Sequence, residues 1–264
     1  MINNCLHFKD NIQVKKIGQN KKISHKKFDR IFLKIKSDIK NTEKTLNVFD
    51  NNFKFDFKLK NLKQFKKFKT IALIGMGGSI LGSEAIYQFL QAKIKKKVYF
   101  FNDLDEKKIS EFKRKENLSK ILFIIISKSG NTVETLSNTF SLNIIKKNAK
   151  NIIIITEKKN NFLFLLSKKL NLFYIEHKKN LGGRYSVLSE VGIIPAYFMG
   201  VDIVRLRSRI LNCLKGKNKI FLKNSTIKLS NLLISKKFNN LIFLNYSSRL
   251  EKALFWCQQL IAES

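Results

Sequence analysis

The stretch Ile71–Leu90, reading IALIGMGGSILGSEAIYQFL, joins the patterns of a buried strand, a glycine-rich turn and the start of a helix. Its first four residues form an apolar run that is typical of a parallel strand. Gly75, Gly77 and Gly78 follow, and the apolar residues after Ser79 recur at helical spacing. Such a turn directs free backbone N–H groups and the positive end of a helix dipole to one point, which suits a phosphate.

Two better-known phosphate loops do not match this stretch. A P-loop ends in Gly-Lys-Ser/Thr, but Gly82 is followed by Ser83. The dinucleotide fingerprint Gly-x-Gly-x-x-Gly needs a third glycine where this chain has Ile80. Asp103 lies near the position of a ribose-binding acid, but without that glycine we interpret it as a turn or helix-start residue. A glycine turn needed only for tight strand-to-helix packing remains an alternative at this point.

The middle of the chain alternates short apolar segments with helical patterns. The predicted strands are Ile71–Ile74, Val98–Phe101, Ile121–Ile126, Ile152–Ile155 and Leu172–Ile175. Four helices are predicted between these strands. The first ends near Leu90, and the others span about Asp105–Asn117, Thr132–Lys147 and Phe162–Leu170. This alternation predicts an α/β fold with a doubly wound, parallel, five-stranded sheet. Ligands of such sheets bind beyond the carboxyl ends of the strands.

The flanking segments predict two further regions. Residues 1–69 read as an N-terminal arm with a helix over Phe28–Ile39, and Phe53, Phe55 and Phe57 alternate as in a short strand or an extended arm. Residues 70–205 form the first α/β domain. Residues 206–264 read as connecting helices to about residue 237, a buried strand at Leu241–Leu244 and a helix over Ser248–Ser264. Because a lone strand and helix cannot form a sheet, the last region predicts the incomplete start of a second α/β domain.

The charge of the chain is strongly basic but its distribution does not favour nucleic acid. The 264 residues include 52 basic and 19 acidic side chains, for a formal net charge of +33. Seven of the basic residues are Arg and 45 are Lys, in a chain also rich in Asn, Ile and Phe. These are the residues of A/T-rich codons, and the lysines are scattered over every segment. We therefore predict no nucleic-acid partner, and keep a basic nucleic-acid-binding protein as an alternative that salt-dependent DNA retention would support.

Cysteine and histidine usage predicts neither a disulfide framework nor a metal site. The three Cys and three His are scattered without metal-ligand spacing. The N-terminus MINNCLHFKD lacks the apolar region of a signal peptide, and the longest apolar run, Ile121–Ile126, is too short to span a bilayer. We therefore predict no metal, no membrane association and a cytoplasmic location.

A second candidate phosphate turn follows the third predicted strand. Residues 127–135 read SKSGNTVET and carry three hydroxyl groups near a helix start, those of Ser127, Ser129 and Thr132. Hydroxyls together with helix N–H groups can wrap a phosphate dianion. Alternatively, Asn131 is the N-cap of the helix and forms a capping box with Glu134. Both interpretations can hold together.

Two further groups of residues suggest chemistry. Residues Gly182–Ser186 read GGRYS. The two glycines allow the chain's backbone to pass close to a ligand, and Arg184 can stabilise developing negative charge. The alternative is a surface turn with an incidental Arg. Gln259 and Glu263 are four residues apart on the last predicted helix and therefore share one face. Without context, that pair reads as a solvated polar stripe.

The motifs IGMGGSILG, SKSGNTVET and GGRYSVLSEVGIIPA, followed by WCQQLIAES, resemble in order and spacing the glucose-6-phosphate isomerase family over about Ile71–Ser264. The resemblance implies a sugar-isomerase (SIS) fold of two nested α/β domains, each with a five-stranded parallel sheet. It also implies a cytoplasmic, usually dimeric enzyme without metal or organic cofactor. Members interconvert glucose 6-phosphate and fructose 6-phosphate, so the implied partner is a hexose 6-phosphate.

The resemblance also assigns roles to residues of this chain. It implies that Gly78 and Ser79 lie at the sugar-phosphate site, that Gly183 and Arg184 flank the reacting carbons, and that Glu263 is the catalytic base. Gln259 is implied to contact substrate, and the phosphate itself would be held by Ser127, Lys128, Ser129 and Thr132. Family chains continue beyond the position that matches Ser264 and supply a ring-opening His and a Lys there. This chain therefore resembles a truncated member, which we expect to be inactive alone. A non-catalytic sugar-phosphate sensor of the same fold remains the alternative, although it would not need Arg184 and Glu263.

Overall fold

A computed structural model describes residues 25–235 and 240–264 of the chain. These residues form two compact units. One unit contains residues 38–210 and 244–264 and holds the sheet. The other contains the described residues of 1–37 and 211–243, which are helical for most of their length.

The first unit is built on a parallel sheet of five strands. In chain order the strands are β1 (Thr70–Ile74), β2 (Lys97–Phe101), β3 (Ile121–Ile126), β4 (Ile152–Thr156) and β5 (Phe173–Glu176). Their order across the sheet is β2-β1-β3-β4-β5. All six residues of β3 and all five of β4 are buried, as a continuous apolar run requires in a strand covered on both faces. The predicted fold class is confirmed, with strand ends within one residue of the prediction.

Helices cover both faces of the sheet. The longer helices of this unit are α3 (Leu81–Leu90), α4 (Glu106–Lys115), α5 (Val133–Ser141), α6 (Phe162–Lys169), α7 (Glu190–Phe198) and α10 (Glu251–Ala262), and the shorter ones are α2 (Leu59–Leu62) and α8 (Ile203–Ser208). Leu73 and Ile124 point into the core under α7, while Ile74 and Ile125 point into the core under α4 and α6. No helix among the described residues combines the length and apolar content that crossing a membrane requires.

The strand order places a crevice between β1 and β3. From this point the sheet grows in one direction to β2 and in the other to β4 and β5. Connections that leave neighbouring strands in opposite directions separate beyond the carboxyl ends, which opens space for a ligand. Ile74 pairs with Ile125, so the turns after β1 and β3 begin at the same level.

The N-terminal arm contains the predicted helix, α1 (His25–Lys40), but no strand at its three alternating phenylalanines. Residues 53–55 belong to neither a helix nor a strand. The buried Arg207 on α8 donates hydrogen bonds to the carbonyl oxygens of Val48 and Asp50 at 2.9 and 2.8 Å. Its guanidinium also lies over the rings of Phe53 and Phe55, at 5.3 and 5.1 Å from their centroids. A single buried cation therefore holds this segment against α8.

Two predictions about element boundaries are wrong. The helix predicted to reach about Lys147 ends at Ser141, because Asn143 adopts a left-handed conformation with φ 51°, which Asn tolerates at helix ends. Leu241–Leu244 is not a buried strand: Ile242 and Leu244 are 76% and 74% exposed. An apolar segment becomes a strand only when its backbone finds a partner, and none of the described strands pairs with it.

The second unit packs part of α1 against α9 (Gly216–Ser235). The rings of Phe28 and Phe32 stack at 5.7 Å and pack on Ile227. Lys223 donates to the carboxylate of Asp29 at 2.7 Å beside this contact. Residues 1–24 and 236–239 lie outside the described residues, so part of the predicted arm and the predicted end of the connecting helices near residue 237 fall there.

We expect Ile124→Ala to lower the free energy of unfolding by roughly 2–5 kcal/mol, because it leaves a cavity in the centre of the sheet. Ile124 is fully buried, whereas Ile242 is 76% exposed and serves as the matched control. Urea unfolding followed by circular dichroism measures both variants, and Ile242→Ala should change stability by less than about 0.5 kcal/mol. Equal effects of the two substitutions would contradict the position of β3 at the core.

Candidate functional site

The two glycine- and hydroxyl-rich turns lie side by side at the carboxyl edge of β1 and β3. After β1 the chain turns through a 3₁₀ helix, Gly77–Ser79, before α3 begins. Gly77 has φ 51°, a conformation that glycine adopts without strain. A Cβ atom added to Gly75 would lie 2.9 Å from the carbonyl oxygen of Ile126, the last residue of β3. The first turn is therefore packed directly onto the end of the neighbouring strand.

Three hydroxyl groups after β3 form a cluster that we call the hydroxyl triangle, consisting of Ser127, Ser129 and Thr132. Ser127 Oγ lies 2.8 Å from Thr132 Oγ1 and 3.4 Å from Ser129 Oγ, and the third side measures 3.3 Å. The Gly130 N–H donates to Ser127 Oγ, and the Asn131 N–H donates to Ser129 Oγ. Ser127 is buried while Ser129 is exposed, so the triangle has one corner at the surface. The structure thus brings together three predicted phosphate ligands.

Helix α5 begins beside the triangle without a capping side chain. Thr132 occupies the N-cap position but makes no capping hydrogen bond, since its hydroxyl lies against Ser127. Asn131 does not cap α5 as its alternative role predicted; its Oδ1 accepts from the Phe162 N–H at 2.9 Å. The free N–H groups of the first turn of α5 therefore remain available to an anion.

Thr135 is a candidate ligand that the sequence did not single out. Its hydroxyl is fully buried in the first turn of α5 and has no hydrogen-bond partner among the described residues. Buried hydroxyls usually have a partner, so this one is an unused donor in the helical turn that follows the hydroxyl triangle. The pattern Thr-x-x-Thr in residues 132–135 would have indicated it, because these positions lie one turn apart on a helix.

Lys128 lies in the same turn but its ammonium group is bound elsewhere. It donates to the carbonyl oxygens of Lys179 and Leu181 at 3.0 and 2.7 Å. It also lies 3.5 Å from the carboxylate of Glu157. These contacts fasten the loop after β5 to the turn after β3. The phosphate contact of Lys128 stays a prediction, and its side chain has a structural role that the sequence did not indicate.

The third motif packs directly onto the first through two glycines. A Cβ atom on Gly78 would lie 2.4 Å from the carbonyl carbon of Gly183 and 2.7 Å from the backbone nitrogen of Arg184. Ser186 Oγ donates to the Gly183 carbonyl oxygen at 2.6 Å and lies 3.2 Å from that of Gly78. Only a residue without a side chain fits at position 78. Arg184 therefore starts from a fixed position above the first turn.

Arg184, Gln259 and Glu263 form one polar group above this turn. Arg184 Nη1 lies 3.7 Å from Glu263 Oε2, and Gln259 Nε2 donates to Glu263 Oε1 at 2.9 Å. Gln259 Nε2 also approaches Gly77, at 3.4 Å from the position of an added Cβ atom. The side chain of Glu263 is 50% exposed and that of Arg184 is 25% exposed, so both are open to solvent and to a ligand. The structure thus joins the predicted catalytic pair.

Residues around Arg184 hold it in place, and sequence alone did not assign them this role. Trp256 on α10 donates its indole N–H to the carbonyl oxygen of Arg184 at 2.8 Å. The Tyr185 ring lies under the guanidinium, with 4.8 Å between ring centroid and Cζ. Ser264 Oγ lies 2.9 Å from the Tyr185 hydroxyl and accepts from Arg184 Nε at 3.1 Å, and its hydrogen bond lowers the pKa of Tyr185. The bonded residues lie more than 70 positions apart in sequence, so no local pattern indicates these contacts.

The described His, Cys, Asp and Glu side chains include no group of three or more that could bind a metal ion. His177 is buried after β5, and burial lowers its pKa to about 4, so the ring is neutral near pH 7. Its Nδ1 lies 3.1 Å from the carbonyl oxygen of Lys178. This histidine belongs to the packing of the loop after β5.

Comparisons with known proteins agree on one family. The family profile described as phosphoglucose isomerase matches residues 34–264. The glucose-6-phosphate isomerase of Methanocaldococcus jannaschii is 32% identical over 225 residues, covering 80% of this chain and 54% of that protein. The probable glucose-6-phosphate isomerase of Methanococcus maripaludis is 33% identical over 235 residues, covering 83% and 52% respectively. The chain therefore spans about half the length of these curated relatives.

A solved structure shares the fold. The crystal structure of a hypothetical protein from Thermus thermophilus aligns with a TM-score of 0.67, at 22% identity, over 91% of this chain and 61% of that one.

We expect Gly78→Ala to lower the free energy of unfolding by roughly 1–3 kcal/mol, because the added methyl group would overlap the backbone at Gly183. Gly183→Ala is the matched control: its Cβ atom would lie 3.8 Å from Gly78 Cα, an ordinary contact. Urea unfolding midpoints compare the two variants. A larger loss for Gly183→Ala than for Gly78→Ala would contradict the packing of the two turns.

Proposed function

Since the chain belongs to the phosphoglucose isomerase family, we propose that it carries the sugar-phosphate site and the catalytic base of an enzyme that interconverts glucose 6-phosphate and fructose 6-phosphate. The observation that carries this proposal is the Arg184–Glu263 pair, which lies above the Gly77–Ser79 turn at the crevice between β1 and β3. A sugar-phosphate sensor would need phosphate ligands but no paired acid and guanidinium beside them.

The phosphate binds at the edge formed by the two turns. The hydroxyl triangle supplies three donors, and the uncapped start of α5 adds backbone N–H groups and a positive dipole end. Ser79 contributes from the neighbouring turn, which packs on the end of β3. Thr135 adds the hydroxyl that has no protein partner among the described residues. Several convergent donors are what a dianion requires.

The sugar carbons lie between Arg184 and Glu263. Aldose–ketose isomerisation needs one group that takes the proton from C2 and returns it to C1, and a carboxylate can do both on one face of a cis-enediol. Gln259 donates to Oε1 of Glu263, which orients the carboxylate with Oε2 toward Arg184. The guanidinium of Arg184 stabilises the negative charge that develops on the enediol oxygens, and so favours the transition state over the ground state.

The complete activity belongs to the longer protein that the relatives represent. Glu263 follows the last residue of α10 and its side chain is half-exposed, so the described residues leave part of the proposed base open to solvent. Positioning errors of about 1 Å can lower a rate on the order of 10²-fold. We infer that the 264-residue chain binds sugar phosphate without turning it over. A homodimeric longer protein in the cytoplasm, without cofactor, is part of the same proposal.

We expect Ser127→Ala with Thr132→Ala to weaken binding of glucose 6-phosphate strongly, because each lost hydrogen bond to the charged phosphate costs roughly 1.5–3 kcal/mol. Isothermal titration calorimetry on the 264-residue chain measures the affinity. Ser110→Ala, an exposed position on α4, is the control and should bind as the unmodified chain does. Unchanged affinity in the double variant would place the phosphate elsewhere.

We expect Glu263→Gln to abolish exchange of the C2 proton of glucose 6-phosphate with solvent, because an amide cannot act as the base. The measurement uses this chain joined to the portion of a relative that it does not cover, with the 264-residue chain as an inactive baseline. Sugar-phosphate affinity should stay within about threefold, since Glu263 does not contact the phosphate ligands. Glu251→Gln on the same helix is the control and should exchange normally. Normal exchange in Glu263→Gln would show that the base is another residue.

A further inference from the structure

A groove of about 800 Å³ lies at the amino-terminal edge of the sheet, opposite the candidate site. It is lined where β1, β3 and β4 begin. Four of its lining residues are lysines from three separate segments, Lys67, Lys69, Lys120 and Lys150. Neighbouring strands lie about 4.8 Å apart, so these segments start within roughly 10 Å of one another. The parallel arrangement therefore gathers positive charge that is dispersed in the sequence.

The groove keeps a net positive charge. None of the four lysines forms an ion pair with a carboxylate in residues 25–235 or 240–264. One carboxylate, Glu116, lines the groove, but it already accepts from the Lys97 ammonium and from the Tyr99 hydroxyl, the latter at 2.7 Å. These contacts lower the pKa of Glu116 and keep it ionised beside its own cation. The four lysines thus add positive charge to one concave surface.

Neutral donors accompany the lysines. The amide oxygen of Asn117 accepts from the backbone and the hydroxyl of Ser119, at 3.1 and 2.7 Å, which leaves its NH₂ group as a donor. Thr70 adds a hydroxyl at the start of β1. Lysine is a compact point charge that binds phosphate oxygens without a fixed geometry. Phe68 and Ile121 also line the groove, but its four cations and its neutral donors favour an anion over an uncharged apolar ligand.

The extent of the groove indicates a chain of phosphates. A volume of about 800 Å³ is well above what one phosphate fills, and the lysines are spread over three strand starts. A second groove of about 540 Å³ continues along the same edge to β5; it shares Lys150 and adds Lys168. We propose that the amino-terminal edge of the sheet binds a linear phosphate oligoanion of the triphosphate class, either inorganic or the tail of a nucleotide. This site is independent of the isomerase proposal.

The test is calorimetric titration of the 264-residue chain with tripolyphosphate, ATP and orthophosphate, at roughly 0.02 M and 0.15 M ionic strength. Lys120→Glu with Lys150→Glu should lower tripolyphosphate affinity on the order of 10-fold or more, because two attractions become repulsions. Lys34→Glu with Lys107→Glu makes the same change in net charge at exposed positions outside the groove, and should change affinity by less than about twofold.

The comparison of ligands identifies the source of the anion. Binding of ATP at least as tight as that of tripolyphosphate supports the site and assigns it a nucleotide, whereas binding of tripolyphosphate alone supports it and assigns an inorganic chain. Equal losses of tripolyphosphate affinity in the two Lys→Glu pairs, equal losses of orthophosphate and tripolyphosphate affinity in Lys120→Glu with Lys150→Glu, or no binding of tripolyphosphate or ATP at all would each overturn the proposal. Circular dichroism checks that the variants fold. If Lys120→Glu with Lys150→Glu does not fold, Lys67→Gln with Lys69→Gln replaces it.

Discussion

The contact between Gly78 and Gly183 is the constraint on which the candidate site depends. At this point two backbone segments, more than 100 residues apart, approach so closely that a Cβ atom on Gly78 would lie 2.4 Å from the carbonyl carbon of Gly183. Backbone in such contact has little freedom to shift, because close-packed atoms transmit displacement directly. The position of Arg184 is therefore set by the same turn that contributes to the proposed phosphate site. In the proposed function, binding of one end of the substrate and chemistry at the other thus depend on one rigid element.

Helix α3 connects the remaining parts of the site. Its start follows the Gly77–Ser79 turn, and its later turns hold α10, which carries Gln259 and Glu263. Gln88 accepts from the Lys252 N–H at 2.7 Å, and the Phe89 carbonyl accepts from Arg249 at 2.9 Å. Glu84, whose pKa burial raises, lies 3.7 Å from the Lys252 ammonium. One helix thereby fixes both the proposed phosphate turn and the helix with the proposed base.

The sequence predicted the parts of this molecule whose causes are local. Buried strands such as Ile121–Ile126 are continuous apolar runs, and their alternation with helical patterns permits few topologies. The glycine and hydroxyl turns were found because special backbone geometry requires special residues. The end of α5 was missed because a single Asn143 in a left-handed conformation outweighs the helical pattern beyond it. Leu241–Leu244 was misassigned because a strand depends on a partner strand, which its own residues do not specify. Lys128 donates to the Leu181 carbonyl oxygen and Trp256 donates to that of Arg184. Both acceptors are distant in sequence, so no local pattern predicts these hydrogen bonds.

The hydroxyl triangle has a consequence for selectivity. Each of its oxygen atoms lies within hydrogen-bond distance of a neighbouring hydroxyl, so the cluster satisfies itself in the absence of an anion. A hydroxyl hydrogen can rotate about its C–O bond while the heavy atoms stay in place. A dianion can therefore redirect the three hydrogens toward itself at the cost of torsional rotation alone. An uncharged hydroxymethyl group offers too weak an acceptor to compensate for the hydrogen bonds that would be broken. In the proposed function, discrimination between a phosphorylated sugar and the free sugar then depends on the orientation of three protons.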